Sequence, residues 1–489
     1  MRTRKNMLNI VIGIASQLII LGMGLIVPRV ILTHYGSDTN GLTNAITQIF
    51  AYMALLQAGI AQAAKNALYK PIQDNDKHQI SVVISSAKVY YKKITFLYAC
   101  IVLCASFLLP VILKSNVSYW TIFFVVFFEG FTDVISFYYI MTMTTFLTAT
   151  GKDYIRNIIE LLGKTLCYSV KILLALFNVN IALIQLGYFL VSIIKTLLYN
   201  KYIKKNYGWI NFKEKTNGYK LPDRNAFVIT EIAWTVFSST DMIVLSTFVS
   251  TAMSSVYSIY NMVYVAIHNL LNNVYNSISY NLGLLYNKNR VEYVILHDKF
   301  MSLFVGGMTV LMCTTNMLII PFVEMYTRGV KDINYIYSYL PMLLCLVQIL
   351  SWSRYVQGTL IGVAGYASKV TKISIIEASL NVILSICLVS KFGIIGVLFA
   401  TVIVLPLKIS YSTYLADKVI LKRSCKQTIK ILFFNYAFFF ASVYFGKYVQ
   451  TNIDGVISFA IHGFLYLIVF GIIGVVVNIF ANPSLVHKH

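Results

Sequence analysis

The chain is 489 residues long, 58% apolar and only 12% charged, with a mean hydropathy of +0.72. Soluble domains carry about 25% charged residues, so an ordinary soluble protein is excluded. Its charges are unbalanced, 40 Lys and Arg against 18 Asp and Glu for a net +22, which fits a polytopic membrane protein with basic loops on one side. Nucleic-acid binding needs a soluble basic face, and no segment long enough to build one is present. Six of the seven cysteines lie within apolar runs and none has zinc-type spacing, so neither a disulfide scaffold nor a metal centre is expected.

A membrane-spanning helix takes about 20 mostly apolar residues. In chain order such stretches fall at 10–32, 42–66, 94–113, 119–146, 157–178, 181–201, 226–249, 255–283, 300–323, 337–362, 372–390, 393–415, 431–449 and 456–480. They predict an all-α polytopic protein of about 14 transmembrane helices joined by short loops. With the N-terminus in the cytoplasm, 29 of the 40 cations fall in cytoplasmic loops and tails, 5 fall outside and 6 lie within spans. That bias places both termini in the cytoplasm.

The longest loop, 201–225, is basic, polar and rich in turn residues. It predicts a six-helix lobe at 1–205, a linker at 206–225, a second six-helix lobe at 226–415 and two additional C-terminal helices at 416–489. A weak repeat supports the division. The helix after span four opens with Ile158-Ile159-Glu160 and the helix after span ten with Ile375-Ile376-Glu377, each preceded by glycine and basic residues. Corresponding spans in two halves are the architecture of a rocking transporter. The last two helices then form an appendix to a six-plus-six core.

Polar groups inside the spans come next, because a charge at mid-membrane is costly and points to a cavity or a partner. Arg29 follows Pro28 in the outer half of span one; it either snorkels or faces a cavity. In span two, Asn44, Gln48, Gln62 and Asn66 fall near one face, with Lys65 beside them at the cytoplasmic end. Glu129 and Asp133 stand four residues apart in span four, as candidates for proton or sodium coupling or for pairing with Lys171 or Lys195. Asp241 in span seven is a third candidate for coupling. Span eight carries the clearest pattern: Asn261, Tyr264, His268, Asn272, Tyr275 and Ser279 recur at intervals of three and four. That is one continuous polar helical face, too long for a single contact and unsuited to lipid. Arg354 lies deep in span ten, flanked by Trp352, Tyr355 and Gln357, where snorkelling is difficult. No phosphate-cradling loop, metal motif or large outer loop is present, so no enzyme is expected.

Three stretches carry a family resemblance. The opening segment VPRVILTHYGSDTNGLTNAITQIFAYMALLQAGIAQAAKNALYKPIQDND, followed by SSAKVYYKKI, resembles Wzx-type polysaccharide repeat-unit flippases of the multidrug/oligosaccharidyl-lipid/polysaccharide (MOP) exporter superfamily. TDMIVLSTFVSTAMSSVYSIYNMV and IIEASLNVILSICLVSKFGIIGVLFATVIV are similar to the same family's span-seven/eight and span-eleven/twelve signatures. The resemblance implies two six-helix lobes with spans one, two, seven and eight lining a central cavity. It implies transport of undecaprenyl-pyrophosphate-linked oligosaccharide to the outer leaflet by alternating access. Carried over by position, the cavity cations are Arg29 and Lys65, with the span-eight face from Asn261 to Ser279. Span eight offers His268 where a related lipid-flipping branch has Arg.

The expected function is therefore that of a flippase for lipid-linked repeat units in capsule, O-antigen or exopolysaccharide synthesis, located in the bacterial cytoplasmic membrane. A diphosphate needs cations in a low-dielectric cavity, and sugars need Asn, Gln, Tyr and Ser partners. The expected substrate-binding set is Arg29, Gln62, Lys65, Asn66, Asn261, Tyr264, His268, Asn272 and Arg354, with no cofactor beyond a proton or sodium ion. Expected partners are the lipid-linked glycan, membrane lipids, and a polymerase and glycosyltransferases of the same pathway, with no nucleic acid. The alternatives are a multidrug cation antiporter or a lipid II flippase, and less favoured, a polysaccharide polymerase.

Overall fold

The structure is a computed structural model. It describes residues 2–212, 214, 240–288, 290–364, 366–449, 453 and 455–485, without the side chains at 2–18, 21, 51–60, 62–63, 66, 69–70, 73, 153, 273–274, 276–285, 287–288 and 367–368. Most of the expected linker and the first half of span seven lie outside the described residues.

The fold is all-α. Its elements are α1 (Arg2–Gln73), α2 (Lys77–Ile112), α3 (Tyr119–Ile135), a π-helical turn at Ser136–Ile140, α4 (Met141–Ala149), α5 (Asp153–Leu176) and α6 (Ile181–Tyr207). After α7, described over 240–248, come α8 (Thr251–Lys288), α9 (Arg290–Tyr326), α10 (Leu340–Trp352), α11 (Tyr355–Val363), α12 (Ala367–Tyr414), a second π-helical turn at Leu415–Ile420, α13 (Lys426–Gly446) and α14 (Gly455–Ala481). Among the described residues, seven helical stretches are long and apolar enough to cross a membrane, so the chain is a multi-pass membrane protein. The expected spans missing from that set include α5 and α8, which carry polar and charged residues, and α10–α11, which the break leaves as helices of 13 and 9 residues.

Two long helices are each broken by a glycine. Gly36 in α1 has φ +79° and Gly393 in α12 has φ +55°, a left-handed conformation that only glycine adopts cheaply. The Gly393 break folds α12 back on itself: Asn381 Nδ2 donates to Thr401 Oγ1 at 2.8 Å, and Lys408 meets Glu377 at 3.1 Å. α5 and α6 form the corresponding hairpin around Asn178 (φ +53°), with Lys195 3.3 Å from Glu160. Helix starts are capped locally. Asp76 accepts from Gln79 N at 2.9 Å and Asn180 from Ala182 N at 2.9 Å, satisfying amides that have no partner within the helix.

The chain divides into two compact units, 1–255 and 256–489. Unit 1 has two hydrophobic cores. One gathers Leu68, Ile84, Tyr91, Phe146, Leu147 and Tyr199, the other Leu42, Phe50, Tyr98, Val125, Val126 and Ile184. Close to the Gly36 break, Asp38 accepts from Ser115 Oγ at 2.8 Å, from the Asn116 amide at 2.7 Å and from Thr251 Oγ1. This joins the α2–α3 connection to the first turn of α8.

Unit 2 is organised around α9, against which α10, α13 and α14 pack. Both C-terminal helices pack on α9. Asn435 of α13 and Asn478 of α14 exchange reciprocal amide bonds of 3.0 and 3.2 Å, and Asn478 lies over Gly306 of α9, where a Cβ would come within 2.4 Å of its amide nitrogen. At one end of the unit, Arg423 binds both oxygens of Asp298 at 2.6 and 2.7 Å and Asp417 at 2.7 Å. Burial disfavours this cation, but the two carboxylates outweigh it and raise the guanidinium pKa.

Candidate functional site

The expected tenth span is not continuous. α10 stops at Trp352, Ser353 and Arg354 form a turn, and α11 restarts at Tyr355. An interrupted helix at membrane depth requires protein partners for its backbone and side chains. Ser353 N bonds back to Ile349 O at 3.0 Å and its hydroxyl accepts from Tyr436 of α13 at 2.8 Å. From α8, Tyr275 donates to the carbonyl of Tyr355 at 2.9 Å.

The break delivers Arg354 into the interior. It is 7% exposed and bonded to Glu377, itself 2% exposed, in the first half of α12. Lys408, from the second half of α12, takes the other oxygen of Glu377 at 3.1 Å. Two cations therefore share one carboxylate, and the cluster carries a net positive charge when all three are ionised. Burying such a group is tolerable only because each charge has a partner.

Beside the break stands an aromatic cluster around His268. Trp352 and Tyr355 stack at 4.2 Å and 14°, and Tyr275 meets both edge-on at 5.8 and 5.5 Å. Trp352 Nε1 lies 3.2 Å from His268 Nδ1, and Tyr355 OH lies 3.0 Å from its Nε2. An indole nitrogen only donates, so Trp352 calls for Nδ1 as an acceptor, whereas Gln348 Oε1 beside the same nitrogen calls for a donor there; the ring's tautomer follows from which of the two bonds is made. Gln348 approaches the same Nδ1 at 3.3 Å.

On the rest of the α8 face, Asn261 and Asn272 are half-buried. Tyr264 is fully buried against α10, its hydroxyl 3.3 Å from the Pro341 carbonyl and 3.5 Å from Cys345 Sγ. Ser279 lies outside the described side chains, as do Gln62 and Asn66.

In unit 1, Arg29 and Lys65 are half-buried on the two stretches of α1. Asp241 is buried in α7. Glu129 and Asp133 of α3 bond neutral partners rather than the lysines considered from sequence. Glu129 accepts from Gln185 and, at 3.5 Å, from Thr47; Asp133 accepts from Tyr98 at 3.1 Å. Lys195 pairs instead with Glu160, and Lys171 lies over the Tyr188 ring at 4.1 Å.

Glu377 and Glu160 are absent from the site residues expected from sequence, although the Ile-Ile-Glu repeat contains both. Each sits on the first helix of a hairpin and binds a lysine on the second. Each follows an irregular stretch by a similar interval: the turn at 353–354 precedes Glu377, and the π-helical turn at Ser136–Ile140 precedes Glu160. The two units thus repeat one local design.

No family model matches the chain, and no curated protein matches it either. Solved structures do. A lipid II flippase, MurJ, in an inward closed conformation aligns with a TM-score of 0.69 at 15% identity, over 95% of this chain and 98% of its own. An inward-facing multidrug resistance MATE family transporter of the MOP superfamily aligns with a TM-score of 0.65 at 12% identity, over 83% of this chain and 96% of its own. A MOP superfamily transporter from Pyrococcus furiosus, described as having a binding pocket of reverse polarity, gives 0.54 at 12% identity over 85% and 95%. The chain has the fold of these transporters.

Proposed function

We propose that the chain is a flippase that moves undecaprenyl-pyrophosphate-linked oligosaccharide repeat units from the cytoplasmic to the outer leaflet by alternating access, for capsule, O-antigen or exopolysaccharide synthesis. The observation that carries this is the charge of the interior. Arg354 and Lys408 share the single carboxylate of Glu377, next to a face of α8 with Asn261, His268 and Asn272. A positive, amide-bearing interior suits an anionic sugar-diphosphate and opposes an organic drug cation. Arg29 and Lys65 supply further cations, with Gln62, Asn66 and Tyr264 completing the binding set. Glu129, Asp133 and Asp241 are the residues for proton or sodium coupling. The setting is the bacterial cytoplasmic membrane with both termini inside, alongside the polymerase and glycosyltransferases of the pathway.

The test is complementation of a strain lacking its repeat-unit flippase. The wild-type chain restores surface polysaccharide, and Arg29→Gln and Lys65→Gln reduce it severalfold at unchanged protein level. Full restoration by both variants would sink the binding assignment. A second reading, lipid II flipping, is favoured by the MurJ structure's coverage of 95% of the chain against 83% for the MATE structure. Rescue of a strain depleted of its lipid II flippase, without effect on surface polysaccharide, would select it.

A further inference from the structure

Unit 1 contains a cavity of about 430 Å³ among α1, the π-helical turn, α4, α5 and α6. α5 contributes Arg156, Glu160 and Lys164, spaced by four residues and so on one helical face, and α6 contributes Lys195. From Arg156 to Lys164 the charged face runs about 12 Å along the helix at about 1.5 Å per residue. Cations outnumber carboxylates three to one in this lining; counting Asp153, three residues before Arg156 in the chain, they still lead by one.

The single lining carboxylate is already engaged. Glu160 accepts from Lys195 on one oxygen at 3.3 Å and from Tyr199 on the other at 3.1 Å. Lys164 has no ion pair among the described residues. The arrangement also depends on a glycine: a Cβ at Gly163 would stand 2.8 Å from Lys195 Cδ, so the missing side chain lets the lysine stem cross α5. The π-helical turn contributes Ser136 and Ile140 to the lining, and such turns recur at functional sites.

Three further lining residues are apolar: Ile20, Ile140 and Met141. Exposed apolar side chains flank the lining in sequence, Ile19 beside Ile20, Tyr139 beside Ile140, and Leu198 one turn after Lys195. A free anion has no use for these groups, whereas an amphiphile has.

We propose that this cavity binds the phosphate of an anionic lipid, with Lys164, Lys195 and Arg156 on the phosphate and the isoleucines against its glycerol and acyl chains. Basic pockets between membrane helices hold lipid headgroups in this way. Lipid binding here is independent of whether the chain transports glycans.

The test is native mass spectrometry of the full-length protein in detergent, titrated with phosphatidylglycerol, phosphatidylcholine of the same acyl chains, or inorganic phosphate. At about 1 kcal/mol per net charge, the three cations less the Glu160 carboxylate predict a preference for phosphatidylglycerol over phosphatidylcholine of roughly 30-fold. Lys164→Gln lowers it about fivefold, and Lys164→Gln/Lys195→Gln nearly abolishes it. Lys430→Gln, an exposed cation on α13, retains it. If the double variant misfolds because Glu160 loses its partner, Lys164→Gln and Arg156→Gln carry the test. Equal binding of the two lipids by the wild-type protein overturns the proposal, as does a preference that survives the pocket variants. Saturable binding of inorganic phosphate without a preference between the lipids overturns the lipid assignment in favour of a free anion.

Discussion

Glu377→Gln is the most informative substitution in unit 2. Glutamine keeps the volume of the side chain and one carbonyl oxygen but removes the charge that two interior cations share. Arg354 and Glu377 are 7% and 2% exposed, so water cannot replace the lost carboxylate. Removing one partner of a buried ion pair costs about 3–5 kcal/mol, most of it the penalty of the charge left behind. Membrane proteins commonly unfold irreversibly, so the quantity to measure is the inactivation half-life of purified protein in detergent at one elevated temperature. If 3 kcal/mol falls on the unfolding barrier, the half-life shortens roughly a hundredfold. Arg354→Gln should be milder, because Lys408 still pairs with Glu377 and the cluster becomes neutral. The double variant should cost clearly less than the two singles together, because neutralising both leaves only Lys408, which is 16% exposed, without its carboxylate. A Glu377→Gln protein as long-lived as wild type would refute the reasoning. So would single effects that add within about 0.5 kcal/mol.

Three further outcomes are expected. Gly41→Ala places a Cβ 1.6 Å from the carbonyl oxygen of Thr251 and 2.8 Å from the Ser255 nitrogen; neither backbone atom can rotate away, so thermal stability should fall by about 3 kcal/mol or more. Asn435→Leu leaves Asn478 without its reciprocal amide partner and should cost about 1–3 kcal/mol, whereas Asn435→Leu with Asn478→Leu should be milder, as thermal melts of the three proteins will show. Arg423→Gln strands the buried carboxylates of Asp298 and Asp417; about 3–5 kcal/mol of stability should be lost, and limited proteolysis should show the 415–425 segment cleaved sooner than in wild type.

Sequence alone determined the class of this protein. Hydropathy and charge bias are summed over many residues, so no single contact can reverse them, and the all-helical membrane fold followed from them directly. The weak Ile-Ile-Glu repeat suggested two related halves, and its two glutamates stand on the first helices of the α5–α6 and α12 hairpins. The polar face of α8 was legible because helical period is a local property.

What only the tertiary structure decided was partnership. Sequence placed Arg354 deep in a span but had no means of finding Glu377, 23 residues on, or Lys408 beyond it, because their meeting depends on a helix break at Ser353 and a reversal at Gly393. It offered Lys171 and Lys195 to Glu129 and Asp133, whereas packing gave those carboxylates to Gln185, Thr47 and Tyr98. It gave α13 and α14 as two additional helices and held no sign of the Asn435–Asn478 pair or of its seat on Gly306 of α9. Depth in a membrane is read from the local chain. Which charge answers which is fixed by three-dimensional proximity, through electrostatics that act over a few ångströms in a low dielectric.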